Sequence, residues 1–185
     1  TSYGGTVDAF VAKVNAAGPS LAWSSYLGGG GRDYGYGVAV DGNGNVYLAG
    51  YTTSADFPNS GGLDTSLGGD YDAFVAQVNA AGSSLAWSSY LGGSGRDYGY
   101  GVAVDGNANV YVAGDTQSSD FPSSGGFDTN LGGAEDAFVT KIVVCGNGAC
   151  DPPETDCNCT ADCAPACGDG CCTGAEFACD PGCET

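Results

Sequence analysis

A 64-residue repeat constrains this chain more than any other feature. Arg32–Gly50 reads RDYGYGVAVDGNGNVYLAG and returns at Arg96–Gly114 as RDYGYGVAVDGNANVYVAG. Residues 1–64 and 65–128 differ at only 13 positions, and a third copy starts at Thr129 and stops after one strand's worth of chain. A fixed internal period is the signature of architectures in which one small structural unit stacks on copies of itself.

Each copy reads as four short strands and one long loop. DAFVAKVNAAG (residues 8–18) alternates, with Phe10, Ala12 and Val14 on one face and Lys13 and Asn15 on the other. This is the pattern of a half-buried strand running into a glycine turn. SLAWSSYLGG (20–29) puts Leu21, Trp23 and Leu27 on one face. GYGVAV (35–40) is small and apolar on both faces, which predicts a strand covered from both sides. Asp41-Gly-Asn-Gly-Asn45 predicts a tight hairpin, because Gly and Asn tolerate the positive φ such turns require, and VYLAGYT (46–52) returns as the fourth strand. SADFP (54–58) and a glycine-rich run then lead to the next copy. The expected fold class is all-β, with four-stranded antiparallel, propeller-like blades in 64-residue repeats.

DAFVAKVNAAG, SSYLGG, the Asp of RDYGYGVAVD, the GNGNVYLAG hairpin and the SADFP connection together resemble the bacterial seven-bladed β-propeller (SBBP) repeats. The resemblance spans about residues 1–144 and implies an extracytoplasmic propeller-like fold. It also implies a phase in which GVAV is innermost and VYLAG next, with the following copy's DAFVAQV and LAWSSYL outside them. On that phase only one blade, Tyr34 to Gly93, is complete. Residues 1–30 supply two outer strands, and residues 98–144 supply three strands and lack a fourth. Two and a quarter repeats cannot close a ring of four to eight blades, and open sheet edges invite association.

Composition changes abruptly after residue 144. All ten cysteines (Cys145, Cys150, Cys157, Cys159, Cys163, Cys167, Cys171, Cys172, Cys179 and Cys183) fall in the last forty or so residues. An even, dense set of this kind reads as a disulfide framework formed in an oxidising compartment. A zinc cluster is the alternative, although the chain has no His and lacks paired CxxC spacings. The two half-copies, each opening Cys-Gly-Asn/Asp-Gly, resemble the short cysteine-rich CGNGxC modules of bacterial surface proteins. The expected organisation is therefore a repeat domain at 1–144 (copies at 1–64 and 65–128, a partial one at 129–144) and a cysteine-rich module at 145–185. Asp151, Glu154 and Asp162 offer hard oxygen ligands, which makes calcium the one candidate cofactor.

Net charge is −18, with Lys13, Arg32, Arg96 and Lys141 the only basic side chains. That removes the electrostatic basis for nucleic-acid binding, and no apolar run approaches the length of a membrane span. The chain begins with Thr and contains no Met, so a signal peptide is expected to have been removed already. No catalytic set is visible, since there is no His and no nucleophile motif. The Asp41-x-Asn43-x-Asn45 pattern and its copy Asp105-x-Asn107-x-Asn109 have the oxygen spacing of a calcium loop but lack its glutamate, and a plain turn accounts for them. Asp33, Asp97, Asp56 and Asp120 are expected to accept loop hydrogen bonds. Trp23, Trp87, Tyr26, Tyr90, Tyr34, Tyr36, Tyr98 and Tyr100 form a candidate sugar-stacking set or, alternatively, packing. The expectation that follows is an extracellular structural protein that self-assembles as a filament, tube or sheath subunit, partnering copies of itself by intersubunit strand complementation. The alternative is an adhesive or glycan-binding module from a longer surface protein.

Overall fold

The computed structural model describes residues 4–143 and contains, among them, nine strands and no helix. These are β1 (Ala9–Val14), β2 (Leu21–Leu27), β3 (Asp33–Val40), β4 (Val46–Thr52), β5 (Asp72–Val78), β6 (Leu85–Leu91), β7 (Asp97–Val104), β8 (Val110–Thr116) and β9 (Asp136–Ile142). They form a two-stranded sheet β1-β2, a four-stranded sheet β3-β4-β5-β6 and a three-stranded sheet β7-β8-β9. The expected phase of the repeat is the observed one: the inner hairpin of one copy pairs with the outer hairpin of the next. Residues 4–104 with 111–140 make one compact unit, and residues 144–185 lie outside the described residues.

Register within the four-stranded sheet follows the repeat. Val46↔Val78, Leu48↔Ala76 and Gly50↔Phe74 join β4 to β5, and Ala73↔Leu91 through Val78↔Leu85 join β5 to β6. The equivalent β1-β2 pair keeps the same register, Ala9↔Leu27 to Val14↔Leu21, with the irregularity at the same place before the final valine. β3 starts two residues earlier than the GYGVAV run suggests. Asp33↔Thr52 and Tyr34↔Tyr51 extend its ladder with β4, held there by the side chain of Asp33.

The sheets stack face to face through small residues. A Cβ on Gly37 of β3 would come within 2.9 Å of the Val102 backbone in β7, and one on Gly99 of β7 would come within 2.8 Å of the Gly50 carbonyl. Gly50 itself cannot carry a side chain, since a Cβ there would overlap the Tyr34 carbonyl and the Phe74 ring. The core is centred on β4 and β5, where Leu48, Phe74, Ala76, Val78 and Tyr90 are buried together with Phe57 of the connecting loop.

Identical strands do not share a burial pattern. Phe74 of β5 is 0% exposed, whereas Phe10 of β1 is 72% exposed, in the same DAFVA context. Ala9 and Val11 form the buried face of β1, so the expected burial of Phe10 and Val14 is not what the fold shows. The reason is the neighbour. Phe74 rests on Gly50 and on the Phe57 ring at 4.6 Å, and β1 has no such inner hairpin beside it. For the same reason GVAV is covered on one side only in β3: Val38 and Val40 stand exposed, while their copies Val102 and Val104 in β7 are half-buried against the preceding sheet.

Candidate functional site: a tyrosine-lined end of the sheets

At the end of the sheets where β3 and β7 begin and β4 and β8 finish, the turns are held by buried carboxylates. Asp33, at the first position of β3, accepts from the Gly29 amide at 2.9 Å, from Ser54 Oγ at 2.9 Å and from the Thr52 hydroxyl. Asp97 repeats the arrangement with Gly93 (2.9 Å), Ser118 (2.7 Å) and Thr116. Both are fully buried. Asp72 accepts from the amides of Gly68 (2.7 Å) and Gly69 (3.1 Å). Burial pushes the Asp72 carboxyl up; the two amides oppose this, and the nearby charges of Asp97 and Asp64 add to it. Asp56 and Asp120 accept from the Gly30 and Ser94 amides at 2.7 and 2.9 Å, as the loop reading expects. Aspartates that bond loop amides and hydroxyls in this way clamp the connections, so the side chains that follow them are carried on a rigid frame.

Those side chains are aromatic. Tyr51 at the end of β4 lies 4.9 Å from Tyr34, 5.8 Å from Tyr36, 5.7 Å from Tyr71 and 4.9 Å from Tyr98. Tyr98 lies 5.7 Å from Tyr71 and stacks on Tyr100 at 6.3 Å, and Tyr100 meets Tyr36 edge-on at 5.7 Å. Six tyrosines from two sheets thus form one continuous surface, in the offset and edge-to-face geometries that aromatic rings prefer. Tyr36 and Tyr100 are the most open of the six. Burial raises the phenol pKa of Tyr51 and Tyr98, and that of Tyr100 to about 12, so the hydroxyls stay neutral and can both donate and accept.

Charged groups border the tyrosines. The Arg96 guanidinium sits 5.3 Å from the Tyr71 ring centre and 3.4 Å from Asp70. Asp115 stands beside the Tyr100 hydroxyl and the Glu135 carboxyl, and Glu135 accepts from Gln117 Nε2 at 2.9 Å. Burial pushes the Asp115 carboxyl up, the Tyr100 hydroxyl lowers it, and Glu135 raises it again.

Part of this surface is legible in the sequence. Tyr34, Tyr36, Tyr98 and Tyr100 do come together, but the tryptophans are not with them. Trp23 lies under the β5–β6 turn, where a Cβ on Gly82 would strike its ring, and Trp87 meets Tyr47 edge-on at 6.5 Å. Tyr90 is core, donating its hydroxyl to the Ser54 carbonyl at 2.6 Å. Tyr51, Tyr71 and Asp115 were not singled out. A signal for them existed: positions 7/71, 51/115 and 53/117 are among the 13 at which the first two copies differ. Position 51 is Tyr in one copy and Asp in the next; position 71 is Tyr, and its third-copy equivalent is Glu135.

The DGNGN loop is a turn, as expected. Asp41 Oδ1 accepts from the amides of Asn43 and Asn45, both at 2.9 Å, and Oδ2 accepts from Asn45 Nδ2 and the Tyr47 hydroxyl. Asp105 does the same with Asn107 and Asn109. At the start of β9, Asp136 accepts from the Gly132 amide. Among the described residues no group of three or more His, Cys, Asp or Glu could hold a metal ion. The calcium candidates Asp151, Glu154 and Asp162, and all ten cysteines, lie outside the described residues.

Antiparallel sheets that recur every 64 residues and stack face to face place the chain among the all-β repeat proteins. Two of its segments, residues 22–58 and 86–122, match a known repeat family, SBBP, described as a β-propeller repeat. The matched segments are themselves one period apart, and each runs from the outer strand β2 or β6 through the DFP connection. A search of curated proteins finds no match. No helix among the described residues is long and apolar enough to cross a membrane.

Proposed function

We propose that this chain is a non-enzymatic binding module of propeller-type blades that works outside the cell or at its surface, and that its tyrosine-lined end is the ligand surface. The observation that carries this reading is the continuous six-tyrosine cluster on a frame of buried carboxylates. Neutral phenols on rigid elements offer flat faces for the C–H side of a sugar ring and hydroxyls for its oxygens, at low entropic cost. Carbohydrate is therefore the proposed ligand class. A glycan array should return reproducible hits that Tyr36→Ala and Tyr51→Ala each reduce at least about tenfold, roughly the loss of one stacking contact plus one hydrogen bond. An array with no hits, or hits insensitive to both variants, would sink the reading.

The open sheets favour a second reading, that the chain is an extracellular structural subunit which self-assembles by strand complementation. Both readings take residues 145–185 as a separate disulfide module. Under that assignment, reduction should unfold the module and leave the strand signal of the repeats in place. If Asp151, Glu154 and Asp162 hold calcium, chelation should lower the melting temperature of that module.

A further inference from the structure

The turns between β3 and β4 and between β7 and β8 are a matched pair that differs at one residue. Asp41-Gly-Asn-Gly-Asn45 and Asp105-Gly-Asn-Ala-Asn109 share one scaffold. In each, the aspartate Oδ1 accepts from the amides two and four residues on, and the aspartate amide donates to the carbonyl of the last asparagine. Gly44, at φ 85°, follows Asn43, whereas Ala108, at φ 63°, follows Asn107.

An asparagine side chain carries an electrophilic carbon within reach of the next residue's amide nitrogen. Whether the two meet depends on how freely the side chain turns and on how crowded the nitrogen is. Most asparagines here are held. Asn15 and Asn79 donate to serine hydroxyls of their own turns, Asn45 and Asn109 donate to Asp41 and Asp105, and Asn59 donates to the Asp64 carbonyl. The Asn43 side chain is exposed and makes no hydrogen bond among the described residues. Asn130 is exposed as well, but Leu131 follows it and its side chain screens the nitrogen. Asn43 alone combines a free side chain with a glycine after it.

We infer that Asn43 is a site of spontaneous modification, converted to aspartate and isoaspartate through a ring closed by the Gly44 nitrogen. That nitrogen attacks Asn43 Cγ; the N–Cγ bond forms, the Cγ–Nδ2 bond breaks, and the amide proton passes through solvent to the leaving ammonia. Water then adds to either carbonyl of the cyclic imide and opens it, leaving the new carboxyl on the side chain or in the main chain. One water is consumed and one ammonia released, with no oxidant or cofactor. Gly44 suits the step because it has no Cβ beside its nitrogen and leaves the left-handed region without penalty. Ring closure has to open the bond from the Gly44 amide to the Asp41 carbonyl, 3.0 Å long; Ala108 makes the same bond to Asp105 at 3.1 Å and adds a methyl group next to the nitrogen. The turn lies at the far end of the β3–β4 hairpin from the tyrosines, so the change leaves that surface alone. Isoaspartate inserts a carbon into the main chain where Asp41 gathers the Asn43 and Asn45 amides, and either product puts a second carboxylate beside Asp41. The first copy thus carries an irreversible timer that the second lacks.

Full-length protein incubated in neutral buffer, sampled over weeks and digested for mass spectrometry tests this. Conversion at Asn43 should outrun that at Asn107 by at least about tenfold, equivalent to about 1.4 kcal/mol in the barrier. Ala108→Gly should bring Asn107 up towards the Asn43 rate. Gly44→Ala should bring Asn43 down to the Asn107 rate, and the second copy shows that the turn accepts alanine there. Labelling by an isoaspartate methyltransferase should follow the same order. Equal rates at the two sites in the native chain, or an Asn43 that stays intact throughout, overturns the inference. An Asn107 rate unmoved by Ala108→Gly overturns it too, and that variant decides the matter if Gly44→Ala fails to fold.

Discussion

Asp33 and Asp97 each gather one glycine amide and two hydroxyls around a fully buried carboxylate, and their side chains set where β3 and β7 begin. Removing such a group leaves several buried donors without an acceptor, at about 1–3 kcal/mol for each unsatisfied group. Asp97→Ala should therefore cost roughly 3 kcal/mol in urea denaturation, and Ser118→Ala distinctly less. The second residue-scale prediction concerns Ala108, which takes φ 63° where the first copy has Gly44 at φ 85°. A side chain in the left-handed region costs about 1–2 kcal/mol, so Ala108→Gly should raise stability by about 1 kcal/mol, and a drop would refute the strain. Asp72 makes a pH prediction. Its folded pKa is raised above the ordinary 3.8, so the folded state holds its proton more tightly than the unfolded chain does. This group's contribution to stability therefore falls as pH rises from about 3.8 through the raised value. Asp72→Asn should remove that slope, seen as a difference between the two pH–stability profiles from pH 3 to 7.

Among the strands, the alternation and the turn residues marked every element in the right order, and β4 was bounded to the residue. Burial was not legible in the same way. Phe10, Phe74 and Phe138 sit in one motif, yet only the presence or absence of an adjacent inner hairpin decides whether the ring meets solvent or core. Phe74→Ala should cost about 3–5 kcal/mol, the range for a buried aromatic. Phe10→Ala in dilute protein should stay within about 0.5 kcal/mol, as for surface positions. Thermal melts of the two variants side by side measure the neighbour's contribution with the local sequence held constant. Equal losses would mean that β1 is covered in solution.

For the molecule as a whole, the candidate surface was half visible. Tyr34, Tyr36, Tyr98 and Tyr100 advertise themselves in the RDYGYG motif, but Tyr51 and Tyr71 are separated by 20 residues and come from a strand end and a strand start. Stacking one copy's sheet on the next brings them together, and it is the same stacking that takes Trp23 away to the β5–β6 turn. Period and strand order were set by the sequence alone, because both depend on local alternation, turn chemistry and a repeat that can be read by eye, whereas the hairpin phase came from the resemblance to propeller repeats. Which faces are open, which tyrosines touch and which carboxylates are buried was decided only by the tertiary structure. Those properties belong to contacts between copies, and the two copies carry nearly the same letters whether or not a neighbour covers them.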